Sequence, residues 1–431
     1  MAKQPAVALL HYTASPVVGG VEQVLAQHAR LLAQAGHEVR IIAGRGASPD
    51  PRVAFVSVPR ADTTHPEIVR LQADLDAGRV PVAFPGVAED LARDLAAALA
   101  GADLLMAHNV GSLNRNLALT VALHAVTIRD GGPRLVLWHH DLAWALPAYR
   151  RTLHDRHPWD LLRTAWPGVT QVAISQARRA DVVDLMGVDP AVVRVVPNGV
   201  DLAALLGLSP RTMNVVHAAA LLSFDPLMLL PVRITPRKNL EFALRVLAEM
   251  RGAGRPGAGL VITGPADPHD RSAGAYLASL LDLRRELDLE GSAVFLAEAL
   301  EEPVDEVLVH DLYRLADLLL LPSLDEGFGI PILEAGAHRL PIVCSDLPAL
   351  RDLAGGAALY IDPGAGPRAL AALIMARLDD DPLVGLARRV RTEFSWESVY
   401  RGGIAPLLAD RPAPLTNGPG RPGREGTARS R

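Results

Sequence analysis

The residues best placed to do chemistry lie in Leu321-Pro322-Ser323-Leu324-Asp325-Glu326-Gly327-Phe328-Gly329-Ile330-Pro331-Ile332-Leu333-Glu334. An apolar run stops, a glycine-rich turn carries Glu326, and a helix is expected from Ile330 with Glu334 in its first turns. Pro331 suits a first helical turn, where its missing N–H costs nothing. The backbone N–H groups of Gly327, Phe328, Gly329 and Ile330 would then cradle a phosphate without any side-chain charge. Two carboxylates beside an anion repel it unless they address hydroxyl groups instead. Accepting hydrogen bonds from ribose and sugar hydroxyls resolves that conflict. The plain alternative, a capping acid and a surface-helix acid, is disfavoured by the apolar neighbours of Glu334.

A second group is cationic. Arg233 ends an apolar run and Lys238 follows it just before the expected helix of residues 239–251. A planar fork and a point charge at a strand end and helix start suit a diphosphate; two solvated charges, with Arg237 as a third, are the bland reading. Near the N-terminus, Gly19-Gly20 follow the first apolar run and precede the helix expected over 21–36, which Gly36 stops. Glycines there let backbone approach a phosphate at a helix N-terminus. Other polar residues recur at the ends of apolar runs: His11, His108-Asn109, His139-His140-Asp141 and Ser175. Ligands of open α/β sheets bind at such strand ends. Satisfied core histidines are an equal alternative for any one of them. A zinc cluster lacks a His-Glu-x-x-His or a cysteine pair to support it.

Elements must place these residues, and the pattern supplies them. Short apolar runs alternate with helical spacing throughout, as in parallel sheets built from βαβ units. Strands are expected near 6–11, 38–43, 53–58, 103–107, 134–139, 170–174 and 193–196. A second set falls near 227–233, 259–263, 293–296, 318–321, 341–344 and 358–361. In that second half, helices are expected near 239–251, 273–288, 309–315, 330–338, 347–354 and 367–378. Residues 60–100 exceed one crossover and are read as an insertion of two helices. The turn Pro197-Asn198-Gly199 marks a boundary. The expected organisation is a first α/β domain over 1–201 and a second over 202–390, with 202–225 as the link. A helix over 391–411 would cross back to the first domain, and 412–431 would be a disordered tail of Pro, Gly, Arg and Ser.

Two motifs are decoys. Gly252-Ala253-Gly254-Arg255-Pro256-Gly257 fits G-x-G-x-x-G, but it follows a helix and precedes a strand, the reverse of a dinucleotide site. Asp74-Leu75-Asp76 fits a metal-holding D-x-D, but it lies within an expected amphipathic helix and reads as a solvated face.

Composition agrees with two buried cores: 431 residues, 49% hydrophobic. With 43 basic and 48 acidic residues the net charge is −5. Such a balance gives no electrostatic footprint for nucleic acid. Cys344 is the sole cysteine, so no intramolecular disulfide forms and a reducing, cytoplasmic setting fits. No run approaches the roughly 18 apolar residues of a membrane span. Peripheral contact with a membrane stays open.

Taken together these residues resemble family 4 of the retaining glycosyltransferases, which have the GT-B fold of two Rossmann-like domains facing across a cleft. The likeness covers roughly 6–410 and is strongest over 226–365. It rests on the Gly19-Gly20 loop, Val196-Pro197-Asn198-Gly199-Val200-Asp201, Arg233 with Lys238-Asn239, Leu312-Tyr313-Arg314-Leu315-Ala316-Asp317, and above all Glu326-x7-Glu334. The resemblance implies that Gly19 and Gly20 approach a donor diphosphate and that Arg233 and Lys238 neutralise it. It gives Glu334 the ribose hydroxyls and Glu326 the transferred sugar. It makes His140 the histidine that touches the donor sugar near the reacting carbon. No metal, cofactor or protein nucleophile is then required: a nucleotide-diphosphate sugar is the co-substrate, and a sugar, polyol, lipid or glycan the acceptor. Three departures stand out. Val232 and Arg339 occupy places where the family usually has glycine. The loop Gly264-Pro265-Ala266-Asp267-Pro268-His269-Asp270 is long and polar, and it suggests donor contacts for Gly264 and His269. A nucleotide-sugar 2-epimerase and a non-catalytic nucleotide-sugar binder share the architecture, but the spacing of the glutamates and the intact cations favour transfer.

Overall fold

The computed structural model describes residues 4–127, 132–265, 273–362 and 364–409. Two parallel sheets organise it, in two compact units: described residues 4–199 with 399–409, and Val200–Ser398.

The first unit carries β1 (Val7–Leu10), β2 (Val39–Ala43), β3 (Val53–Ser57), β4 (Leu104–His108), β5 (Arg134–His139), β6 (Thr170–Ala173) and β7 (Val193–Val195), in the order β3-β2-β1-β4-β5-β6-β7. Every pairing is parallel. The central β1 and β4 are buried throughout, as strands covered on both faces must be. Helix α1 (Gly20–Gln34) links β1 to β2, and the region 60–100 forms the two expected helices, α2 (Pro66–Asp76) and α3 (Phe84–Ala98). Helices α4 (Leu117–Thr127) and α5 (Gln176–Met186) complete the connections.

The second unit begins with α6 (Leu202–Leu206) and α7 (Pro210–Ala218). Residues 202–225 are therefore not a bare link. Asp201 and Ser209 cap the two helices, and the Asp311 carboxylate accepts from Ser209 N at 2.8 Å and Thr212 Oγ1 at 2.6 Å. The sheet follows with β8 (Leu227–Leu230), β9 (Gly259–Ile262), β10 (Ala293–Phe295), β11 (Leu318–Leu321), β12 (Ile342–Ser345) and β13 (Ala358–Ile361), in the order β10-β9-β8-β11-β12-β13. Again all pairings are parallel. Around it lie α8 (Leu240–Gly252), α9 (Ala273–Glu286), α10 (Leu296–Ala299), α11 (Glu306–Leu315), α12 (Ile330–Ala337), α13 (Pro348–Ala354), α14 (Pro367–Asp379) and α15 (Pro382–Glu393).

Helix α15 is held to the second unit by buried charge: Arg391 pairs with Asp317 and donates to the Phe224 carbonyl, while Arg388 pairs with Asp225. After α16 (Trp396–Val399), a π-helical turn over Tyr400–Ile404 and α17 (Ala405–Ala409) belong with the first unit. There Arg134 donates to the Leu408 carbonyl at 2.9 Å. The expected crossing helix over 391–411 is thus in pieces, with α15 ending in the second unit. The expected tail, 412–431, lies outside the described residues. Among the described residues no helix is long and apolar enough to cross a membrane.

Candidate functional site

In each sheet the strand order reverses between two central strands, β1 and β4 in the first unit and β8 and β11 in the second. Loops diverge at the carboxyl ends of such a pair and leave a crevice for a ligand. Beside these reversals lie His11, Gly19 and Gly20 after β1, His108 and Asn109 at the end of β4, Arg233 and Lys238 after β8, and Glu326 with the glycine-rich turn after β11. His140 follows the neighbouring β5, Gly264 follows β9, and Glu334 lies in the second turn of α12.

In the second unit β8 stops at Leu230, three residues earlier than the pattern suggested, because the chain leaves the sheet to pass against the β9 exit. Ile234 N donates to the Pro265 carbonyl at 3.0 Å. Gly264 permits that approach: a Cβ there would stand 2.0 Å from the Val232 carbonyl oxygen and 2.6 Å from Arg233 Cα. Gly264 therefore shapes the bend that carries Arg233. Arg233 itself is exposed and makes no hydrogen bond or ion pair with the described residues. A 3-10 turn over Pro236–Lys238 follows, and Asn239 (φ 55°) turns the chain into α8. Asn tolerates that left-handed geometry better than most residues.

Lys238 is not a free cation. It is buried and its ammonium is paired with Glu326 Oε1, while Arg237 stands 3.7 Å from Oε2. Leu324 N donates to the Arg237 carbonyl at 2.8 Å, which ties the two loops together. The glycine-rich turn runs on to Gly329 (φ 99°), the N-cap of α12. A Cβ at Gly329 would meet the Leu350 side chain at 2.5 Å, so glycine is needed there for space as well as for φ. Phe328 and Ile330 are more than half exposed, and the N-terminus of α12 has no side-chain cap. Pro331 has no N–H and Ile332 N donates to the Gly329 carbonyl at 3.0 Å, but the backbone N–H groups of Gly327 to Ile330 have no partner among the described residues, a ready anion cradle. One helical turn on, Glu334 is half-buried and accepts from the Tyr313 hydroxyl at 2.7 Å. Burial and that carboxylate push the Tyr313 hydroxyl pKa upward.

In the first unit Gly19 is the N-cap of α1 and Gly20 its first residue. Beside them the structure adds Glu22, whose carboxylate accepts from Thr13 Oγ1 at 2.5 Å and lies 3.8 Å from His11 Nε2. An acid in a first helical turn is ordinary in sequence, so nothing there set Glu22 apart. His140, just past β5, is buried, and its Nε2 meets His108 Nδ1 at 3.0 Å. His11 Nδ1 donates to the His108 carbonyl at 2.8 Å. Asn109 (φ 60°) accepts through Oδ1 from the backbone N–H of His140 at 2.8 Å and of Asp141 at 3.2 Å. It thereby fixes the turn that presents His140. Desolvation lowers these histidines: His140 and His28 to about 3, His139 to about 4, and His108 well below its ordinary value. Neighbouring rings add to the shifts of His108 and His140. They are neutral hydrogen-bonding and packing groups at ordinary pH. Among the described residues no three His, Cys, Asp or Glu are grouped as metal ligands.

Ser175 caps α5 and has no further part in the site. Asp74 pairs with Arg79 at 2.7 Å and Asp76 accepts from Gln72 at 2.7 Å, so the D-x-D acids are engaged on α2. His269 lies outside the described residues. A cavity of about 460 Å³ opens beside α2 and the loops after β4 and β5, lined by Gln72, Asp76, Asn114, Arg115, Tyr149 and Thr152.

Similarity to known proteins falls on the same two regions. The family model for family 4 glycosyltransferases matches residues 18–204, and that for glycosyl transferases group 1 matches 225–380. A D-inositol 3-phosphate glycosyltransferase of Kineococcus radiotolerans is 32% identical over 269 residues, 56% of this chain and 59% of that protein. A mannosylglucosylglycerate synthase of Petrotoga mobilis is 24% identical over 267 residues, 57% and 60% of the two chains. The chain thus spans about three fifths of the length of these curated relatives. The crystal structure of Anabaena Alr3699/HepE with UDP and glucose aligns over 94% of this chain and all of that one, at 16% identity and a TM-score of 0.35. A superposition that loose carries no residue correspondence. The two family models take in the Gly19-Gly20 loop and His140 in the first unit and the loops after β8 and β11 in the second, and the chain belongs to family 4 of the glycosyltransferases.

Proposed function

We propose that this chain is a retaining glycosyltransferase that moves a hexose from a nucleotide-diphosphate sugar to an acceptor hydroxyl. The carrying observation is the second unit's reversal loop. It sets the uncapped N-terminus of α12 between two differently held carboxylates, Glu326 on Lys238 and Glu334 on Tyr313. Orphan N–H groups and Arg233 suit the diphosphate. Carboxylates anchored by other donors are poor partners for phosphate but good acceptors for hydroxyl groups. Glu334 takes the ribose and Glu326 the sugar.

The bond from the anomeric carbon to the diphosphate breaks as the acceptor oxygen bonds that carbon on the same face. The acceptor proton passes to the departing phosphate oxygen. Arg233 and backbone amides stabilise the charge that develops there, the largest contribution the protein makes, while Lys238 holds Glu326 in place. The first unit's 460 Å³ cavity offers hydrogen-bond donors and acceptors beside apolar surface, which suits a polyhydroxylated acceptor. NMR of the first-formed glycoside tests the reading: the donor's anomeric configuration should be retained. An inverted centre, or an epimerised donor with no glycoside, overturns it. Because the D-x-D acids are engaged on α2, activity should also survive EDTA; loss restored by manganese or magnesium would refute the metal-free mechanism.

A further inference from the structure

We propose that Tyr313 is a positioning residue for donor binding: its buried hydroxyl fixes one oxygen of Glu334 so that the other is held ready for the ribose diol. This rests on the assignment of Glu334 to the ribose.

The geometry that carries it comes from two elements. Tyr313 lies in the last turn of α11 and is 1% exposed. Its hydroxyl donates to Glu334 Oε2 at 2.7 Å, across from the second turn of α12. His338, just past the end of α12, stacks on the tyrosine ring, with centroids 5.6 Å apart and planes 11° apart. The ring is thus clamped by packing and cannot swing its hydroxyl away. Glu334 Oε1 makes no hydrogen bond or ion pair with the described residues. A phenol beside a carboxylate can only donate, so the bond has one sense. A free Glu side chain forfeits rotamer entropy when a ligand fixes it. One already tied at Oε2 has lost that freedom on folding, and its remaining oxygen meets the diol in a set direction.

The test is a binding comparison on the full chain. Whichever of UDP, GDP and ADP binds most tightly is titrated beside its 2′,3′-dideoxy counterpart, against wild type, Tyr313→Phe and Glu334→Gln. Tyr313→Phe keeps the ring and its stacking. It should weaken the ribonucleotide about tenfold, the scale of one charge-assisted hydrogen bond, and leave the dideoxynucleotide within about twofold. Equal losses for both nucleotides would make Tyr313 merely structural, and no loss for either would also overturn the proposal. If Glu334→Gln discriminates between the two nucleotides and Tyr313→Phe does not, positioning alone fails. If neither discriminates, the ribose assignment fails and takes the proposal with it.

Discussion

At the scale of single residues, two positions separate binding from catalysis and from folding. Glu326 is held by Lys238, and the role proposed for it at the sugar would be exercised mainly in the transition state. Glu326→Gln should therefore lower kcat at least about tenfold while shifting the dissociation constant of the free nucleoside diphosphate by no more than about twofold. Weakened binding with unchanged kcat would move Glu326 to the nucleotide. Arg339 bears on stability instead. It stands where the family usually has glycine and adopts φ 55°. A left-handed backbone costs a side-chain-bearing residue about 1–2 kcal/mol, partly offset by the greater unfolded-state freedom of glycine. Arg339→Gly should thus stabilise the protein by roughly 0.5 kcal/mol, read as a small rise in Tm; a fall would show that the arginine side chain contributes more than its backbone costs.

At the scale of elements, α15 is the least obvious necessity. It carries no candidate residue, yet it places Arg391 in the second unit's core against Asp317, which also accepts from Leu227 N at 2.7 Å at the start of β8. Burial outweighs the arginine's charge and raises the Asp317 pKa, and it lowers that of Arg391. The pair is there because each charge needs the other, so removing one is worse than removing both. Arg391→Leu should cost about 3–5 kcal/mol by leaving Asp317 buried and alone. The double variant with Asp317→Asn should recover part of it, as a chemical-denaturation cycle would show. Asp317 was legible in the sequence only as a motif residue after Leu312–Ala316; its partner, 74 positions along the chain, was not.

At the scale of the whole molecule, buried histidines make stability depend on pH. His28, His139 and His140 have folded pKa values near 3, 4 and 3, below the ordinary value of 6.5. Below pH 6.5 the unfolded chain takes up protons that the folded chain refuses. Stability is therefore full above about 6.5 and declines as pH falls toward 4 and then 3. Each such histidine contributes about 1.4 kcal/mol per pH unit within that window. Thermal unfolding followed from pH 7 to pH 4.5 should show a falling Tm, and His28→Phe should make the fall shallower. An unchanged slope in that variant would mean that His28 is protonated without penalty.

The element list and the reversal loops were legible in the residue pattern alone. Each of the thirteen strands among the described residues overlaps an expected one, and the central ones are apolar throughout because a strand covered on both faces must be apolar along its length. Pro331 was equally legible, since a first helical turn favours it locally, whereas Gly264 read as a donor contact and only its packing against Val232 shows why glycine is needed there. Tertiary structure alone decided which charges face each other. Lys238 read as a phosphate cation, and only the folded chain sets it on Glu326, 88 positions away. The histidines read as strand-end residues, and only packing shows that His108 supports His140. Residues 202–225 read as a link because their short helices are fixed by caps and by Asp311, about a hundred residues on. Periodicity reports the face a residue presents; partnership across a sheet depends on strand order, which no local pattern encodes.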